Sequence, residues 1–308
     1  MSTKRQTKRT KRSRGRSRVK TSTLKARILK LKRTWKRGGL MQRTGMLFTM
    51  LVAIVCVVAL AMGLVRFVQW RGEVRDAERT QLALAQEYGF DPGDIISDGQ
   101  FFNGNAMSQA EVQSFLDERG GAIASMTFDT TDQSGEGLCE DYTGVTGETA
   151  AAIITKSAQA CGISQKVLLT MLQKEQHLVT ATDPTDFQLK AAMGLSCPDD
   201  ASCDPAYAGF FLQVYGAAKR YQYYLAHADR YNYQAYALNY VQYHPDASCG
   251  GSTIYIENRA TALLYIYTPY QPNEAALAAG DGVGDSCSSY GNRNFSLIYE
   301  NWFGNPRE

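Results

Sequence analysis

The stretch GMLFTMLVAIVCVVALAMGLV, residues 45 to 65, constrains this chain more than any other: twenty-one consecutive residues without a charge. At the rise of an α-helix, about 20 apolar residues cover the hydrocarbon core of a bilayer. The run reads as a transmembrane helix. A cleaved signal peptide is the rival reading, but its apolar region is typically about 7–15 residues behind a short basic start, and both segments are longer here. A signal anchor is therefore expected.

Charge divides the chain at the same place. Residues 1 to 44 hold 18 of the 33 Lys and Arg and no Asp or Glu, whereas from Glu73 onward 13 basic residues face all 30 acidic ones, a formal charge of −17. The basic flank marks the cytoplasmic side, so the C-terminal part is expected outside the membrane, in a single-pass type II arrangement. The tail itself, KRQTKRTKRSRGRSR, is low in complexity and self-repelling. Beside a membrane helix its ordinary role is to fix orientation and attract anionic lipid, and no specific nucleic-acid partner is expected. From Thr21 to Arg37, Leu24, Ile28, Leu31 and Trp35 recur at helical spacing among Lys and Arg, the pattern of an amphipathic helix on the inner membrane surface or of a docking helix for an acidic partner.

Cysteine usage agrees with that topology. Cys56 lies in the apolar run, which leaves Cys139, Cys161, Cys197, Cys203, Cys249 and Cys287, enough for up to three disulfides in an oxidising compartment. Six cysteines allow 15 connectivities, and the sequence does not choose among them. In CPDDASC, Cys197 and Cys203 with Asp199, Asp200 and Asp204 are candidates for a metal. That set mixes hard and soft ligands at no standard zinc spacing, so a disulfide-closed loop is the favoured reading. GDGVGDSCSSYGNRNF (280 to 295) lacks the length and terminal Glu of an EF-hand and reads as a loop. No metal and no cofactor are expected.

The domain plan that follows is a basic tail (1–44), a membrane helix (45–65), a charged helical stalk (66–89) and a globular body (90–308), with Pro92 and Gly93 breaking the stalk helix. In the body, MSQAEVQSFLDERG is a short helix with a Ser108/Glu111 capping box and Gly120 at its end. Residues 121 to 147 read as an irregular loop tied down by Cys139. From Glu148 helical periodicity dominates: one helix ends at Gly162, and Ser164 caps the next. No run of regularly spaced strands is apparent, so the body reads as mainly α.

The next helix contains VLLTMLQKEQHLVT (167 to 180), and Glu175 is out of place in it. At about 100° per residue, Leu168, Met171, Leu172, Leu178 and Val179 all fall within about 60° of Glu175, while Lys174, Gln176 and His177 point sideways or away. A carboxylate on an apolar face is costly unless it is protonated, hydrogen-bonded or open to a cleft. Desolvation favours the protonated form, which is what a glycosidase acid needs at a leaving-group oxygen. A buried Glu paired with an Arg or with backbone groups fits the pattern equally well. A second carboxylate would mark hydrolysis of the lysozyme type, and Asp183 and Asp186 in TATDPTDF are the candidates; Asp183 before Pro184 also suits a plain turn.

Ten tyrosines fall between Tyr207 and Tyr243. Tyr207, Phe211, Val214, Ala218, Tyr221 and Leu225 form a core stripe at spacings of 3 and 4. Tyr223, Tyr231, Tyr233, Tyr236 and Tyr240 have no such duty, and with Asn239 they are candidates for holding sugar faces, or for any other interface. ATALLYIYTPYQPN (260 to 273) starts as a helix and is stopped by Pro269 and Pro272.

LLTMLQKEQ followed by KAAMGL (190 to 195), and then by a Tyr-rich helix and an Asn/Tyr element, resembles the lysozyme-like fold of soluble lytic transglycosylases over roughly residues 148 to 245. That resemblance implies that Glu175 is the sole acid/base, that the substrate is peptidoglycan or another cell-wall glycan, and that N-acetylmuramyl residues can close to an anhydro product. Two features depart from the pattern: Ser196 follows the Gly-Leu pair, and Asn239–Tyr240 reverses the usual Tyr–Asn order. FDPGDIISD, LQKEQHLVT, YHPDASCG, TPYQPN and YGNRNF also resemble, over residues 89 to 304, actinobacterial anchored or secreted proteins called hemagglutinin-like. Three functions are carried forward: a glycan-cleaving lytic transglycosylase or muramidase, a non-catalytic wall-binding or adhesion module on the same fold, and a scaffold whose basic tail recruits cytoplasmic partners while the outer domain acts as a sensor.

Overall fold

The computed structural model describes residues 19–197 and 203–308, and its chain separates into two units, Met1–Trp70 and Arg71–Glu308. The basic run up to Arg18 and the acidic pair Asp199 and Asp200 lie outside the described residues.

In the first unit, helix α1 (Val19–Arg37) covers the stretch read as amphipathic, with Ile28, Leu31 and Trp35 exposed. The second helix, α2 (Leu40–Tyr88), is divided between the two units and contains the uncharged run. It is long and apolar enough to cross a membrane, and no residue of its apolar window is buried.

The second unit begins earlier than the sequence suggested. The segment expected as a free stalk packs on the body: Val74, Ala77 and Gln81 are buried. Gln81 is the fastener. Its Oε1 accepts from the backbone N–H of Tyr255 at 2.7 Å, and its Nε2 donates to Tyr255 O at 3.2 Å. The charged, helix-prone composition of this stretch suggested a stalk, and one buried glutamine was too sparse a signal to say otherwise.

Thereafter come α3 (Asp98–Phe101), α4 (Gln109–Arg119), β1 (Thr127–Phe128), β2 (Glu148–Thr149), α5 (Ala150–Cys161), α6 (Gln165–Gln176), α7 (Asp186–Lys190), α8 (Phe210–Ala226), β3 (Ala237–Gln242), β4 (Gly251–Ile256), α9 (Arg259–Tyr267), α10 (Glu274–Ala278) and α11 (Gly291–Phe303). About 58% of the described residues are helical. The core lies where α5 packs on α8, α6 on α11 and α4 on α5, around fully buried Ile153, Ile154, Leu168, Met171, Leu172, Val214, Ala218 and Tyr221. Both predicted caps of α4 are present: the reciprocal Ser108/Glu111 bonds and a left-handed Gly120.

Three local expectations change. Ser164 stands at the N-cap of α6, but its hydroxyl makes no capping bond; its backbone N–H donates to Phe101 O at 2.9 Å and its carbonyl accepts from Leu168 N–H at 3.1 Å. The helix then ends at Gln176 because His177 turns left-handed, at φ 59°. Leu178 and Val179 are buried as expected, but from the chain beyond the helix and not from its face. Finally, β3 and β4 form an antiparallel hairpin, with Leu238 opposite Tyr255 and Tyr240 opposite Thr253, where only helices had been foreseen.

Three disulfides join Cys139 to Cys161, Cys197 to Cys203 and Cys249 to Cys287. The first fastens the long loop before β2 to the end of α5, and the third fastens the hairpin end to the loop before α11. The CPDDASC segment is thus a closed loop, and Cys56 is left as the free thiol in the apolar helix.

Candidate functional site

Glu175 sits in the last turn of α6, its side chain 23% exposed, and it is not alone there. The Lys174 ammonium lies 2.6 Å from Glu175 Oε1, with the lysine side chain only 7% exposed. This corrects the helical-wheel placement of Lys174 as an ordinary flank: the four-carbon stem bends inward and carries its charge to the carboxylate. Lys174 Nζ also donates to Thr268 Oγ1 at 3.0 Å, and it lies 5.7 Å from the centre of the Tyr267 ring, so the end of α9 holds it from the far side.

The other carboxylate oxygen is treated differently. Glu175 Oε2 receives no hydrogen bond from the described residues, and it faces Gly194, where a Cβ would come within 3.1 Å of it. Gly194 also has φ +70°, a left-handed backbone that a side chain disfavours. Two independent reasons therefore place glycine in the KAAMGL segment. Gln213, fully buried on α8, fixes that segment: its Oε1 accepts from the N–H groups of Met193 (3.1 Å) and Leu195 (3.0 Å), and its Nε2 donates to Leu195 O at 2.8 Å. The phenol of Tyr267 donates to Met193 O.

The buried Tyr221 and the partly buried Tyr267 complete the surroundings. Tyr221 and Tyr267 stack with ring centres 5.2 Å apart. Burial first, then the negative charge of Glu175, pushes Tyr221 well above the ordinary phenol range; burial, Tyr221 and Glu175 do the same to Tyr267. Both stay protonated and can only be donors or neutral acceptors at physiological pH. Tyr221 is wholly buried, yet its hydroxyl has no partner among the described residues.

Beside this cluster, a cavity of about 600 Å³ opens on the outer face of α8. Tyr207, Gly216, Arg220, Tyr223 and Tyr231 form part of its wall, and the loop before β2 contributes Gln133 and Leu138. Glu175 is not part of that wall. The two are linked through the KAAMGL segment: at Gly216 a Cβ would meet Leu195 Cδ2 at 2.8 Å and Tyr207 Cδ1 at 3.2 Å, and Leu195 adjoins Gly194.

The sequence candidates are thus distributed unevenly. Tyr223 and Tyr231 come together in the cavity wall. Tyr233 instead donates its hydroxyl to Pro269 O at 2.8 Å and packs toward Tyr265. Asn239 is buried, with Oδ1 accepting from Gln234 N–H (2.8 Å) and Nδ2 donating to Gln234 O and Ala237 O, so its amide holds the start of the hairpin. Tyr236 and Tyr240 are exposed on the hairpin and are not part of the cavity wall. Asp183 and Asp186 are exposed, the first in a turn and the second in the opening turn of α7, and no hydrogen bond or ion pair joins either to Glu175. Tyr207, expected in the core stripe, is half-buried in a turn before α8 and faces the cavity.

Sequence reasoning missed Lys174, Gly194, Gln213, Tyr267, Thr268 and Arg220. Only Lys174 adjoins Glu175 in sequence; Thr268 lies 94 positions from Lys174, beyond any periodic signal. Among the described residues no three of His, Cys, Asp and Glu gather as a metal-holding group would require.

A family model described as LasA, N-terminal domain matches residues 94–308, nearly the whole of the second unit. No curated protein and no solved structure matches the chain.

Proposed function

The chain belongs to the family of the LasA N-terminal domain, and from that premise we propose that it is a membrane-anchored protein of the cell envelope whose body cleaves wall glycan with Glu175 as acid and then base. LasA is a secreted staphylolytic peptidase family, which favours a cell-wall setting for its relatives. The match is to an N-terminal domain, so it carries no peptidase chemistry to this chain; the chemistry has to come from the residues on hand.

The observation that carries the reading is the asymmetry of the Glu175 carboxylate. Lys174 engages Oε1, and Oε2 is left over Gly194 without a partner. In the proposed reaction a proton on Oε2 passes to the glycosidic oxygen as the bond from that oxygen to the anomeric carbon breaks. The carboxylate then takes a proton from the incoming nucleophile, either water or a hydroxyl of the same sugar. Lys174 holds the carboxylate in place throughout, and the stacked rings of Tyr221 and Tyr267 exclude water from one side. On this reading the body has a lysozyme-like fold, Tyr223 and Tyr231 hold sugar faces in the cavity, and Asp183 and Asp186 are the only other carboxylates put forward as partners. The membrane orientation, with the tail cytoplasmic and the body outside, belongs to the same proposal and is supported by the basic flank and three disulfides.

A second reading has one observation in its favour. The ion pair with Lys174 fully accounts for a half-buried glutamate as a structural group, which suits a wall-binding or adhesion module with no turnover. The full chain in detergent micelles, incubated with purified peptidoglycan, separates the two. Soluble muropeptides released by wild type and not by Glu175→Gln support cleavage, and their ends, reducing or anhydro, tell hydrolysis from transglycosylation. No release by wild type, or equal release by the variant, defeats the catalytic reading.

A further inference from the structure

The cavity carries a charge that the proposed cleavage does not use. Arg220 projects from α8 with its guanidinium 5.6 Å from the ring centre of Tyr207 and 5.9 Å from that of Tyr223. It donates to Tyr207 Oη at 3.4 Å. Among the described residues no carboxylate lies within 4.0 Å of it, since the ion pairs there are made by Arg79, Lys156, Lys174, Lys219 and Arg259. The other cation in the wall, Lys219, is already matched: it lies 3.0 Å from Glu136 and donates to Ser134 O at 2.9 Å.

That contrast has a chemical meaning. A half-buried guanidinium packed near two phenol rings is partly stripped of water, and its planar fork suits a carboxylate bidentately. The rings themselves offer the apolar faces and polar edges that suit a saccharide. We propose that this cavity binds a carboxylate-bearing saccharide or glycopeptide, with Arg220 as the residue that recognises the anion and Tyr207 and Tyr223 as the rings that hold Arg220 in place. The proposal rests on the glycan reading of the site and adds to it a preference for acidic over neutral ligands.

Calorimetry on the full chain in detergent micelles tests this with two probes of equal size: the disaccharide N-acetylglucosaminyl-N-acetylmuramic acid bearing an alanyl-glutamate dipeptide with free carboxylates, and the same compound with every carboxylate amidated. The acidic probe is expected to bind about tenfold more tightly, the worth of one charge-assisted contact. In Arg220→Gln the preference falls to about twofold or less, and Arg220→Lys, which keeps the charge without the fork, retains part of it. Thermal unfolding of each variant confirms that the fold persists. Equal binding of both probes by wild type, no binding of either, or a tenfold preference surviving in Arg220→Gln overturns the proposal. The preference is measured again in Glu175→Gln, where binding needs no chemistry. A preference that persists while wild type releases no glycan condemns the cleavage reading alone, whereas release by wild type without any preference condemns the role of Arg220 alone.

Discussion

Lys174 is more deeply buried than the Glu175 carboxylate it neutralises, with side-chain exposures of 7% and 23% and 2.6 Å between the charged atoms. A lysine so placed has few alternatives to its pairing, because Thr268 Oγ1 is a neutral acceptor and the Tyr267 ring offers only its face. Removing either charge leaves the other uncompensated in a poorly hydrated site, which costs more than the pair itself contributes. Lys174→Met and Glu175→Gln are each expected to lower stability, and the double variant to be less destabilised than their sum. The double-mutant cycle should show a coupling of about 1–3 kcal/mol, as for residues sharing one ionic network. A coupling near zero in denaturant titrations would mean that the pair is not formed in solution.

Gly194 offers a sharper probe of the site because its constraint is double. Alanine there needs a left-handed backbone, about 1–2 kcal/mol for an L-residue, and places a methyl 3.1 Å from Glu175 Oε2. Gly194→Ala is expected to lower thermal stability modestly and to abolish glycan release more completely than the stability loss explains. An Ala variant with full release and an unchanged Tm would show that nothing reaches Oε2 from that side.

How much of this was legible beforehand depended on whether a signal was local. The uncharged run, the Ser108–Glu111 cap, the Gly120 and Gly162 stops and the anomalous phase of Glu175 are all patterns within a few residues, and each has its counterpart in the structure. The partner of Glu175 was misjudged because a helical wheel places Cβ atoms, and Lys174 reaches its target with the four carbons beyond. The hairpin was missed because ALNYVQ buries only Asn239 and Val241 on its inner face, too little alternation to compete with the tyrosine-rich helix before it. Arg220 and Tyr207 meet only because the 3-10 turn before α8 folds back along it.

Glu148 provides a pH dependence whose sign follows from its surroundings. Burial pushes its carboxyl up, but Lys156 (2.7 Å), Thr130 (2.7 Å) and the Tyr142 hydroxyl (2.8 Å) outweigh burial and hold it below the ordinary range. A carboxyl depressed in the folded state contributes stability that is present above its unfolded value, near 4.3, and is lost as pH falls through the folded value. Unfolding midpoints of wild type should therefore drop as the medium is acidified below about pH 4. Glu148→Gln should be less stable at pH 7 by about 2 kcal/mol, the scale for a charge-assisted network losing its charge, and should lose part of that acid dependence. Parallel midpoint-versus-pH curves for the two proteins would remove Glu148 from this role.

The Cys139–Cys161 bond tests compartment and cavity together. It closes a span of 22 residues and fastens to α5 the loop that supplies Gln133 and Leu138 to the cavity wall. A cross-link of that span is worth about 3 kcal/mol in the chain-entropy account, so the double variant Cys139→Ser/Cys161→Ser should unfold earlier and bind saccharide probes more weakly. The bond also needs an oxidising surrounding, which the proposed orientation supplies and the reverse orientation would deny. In intact cells expressing the full chain, externally added protease should therefore digest the body while sparing the tail. Thiol alkylation before reduction should leave the six body cysteines unlabelled. Protection of the body, together with free Cys139 and Cys161, would place it on the reducing side and remove the topology on which the cell-wall reading depends.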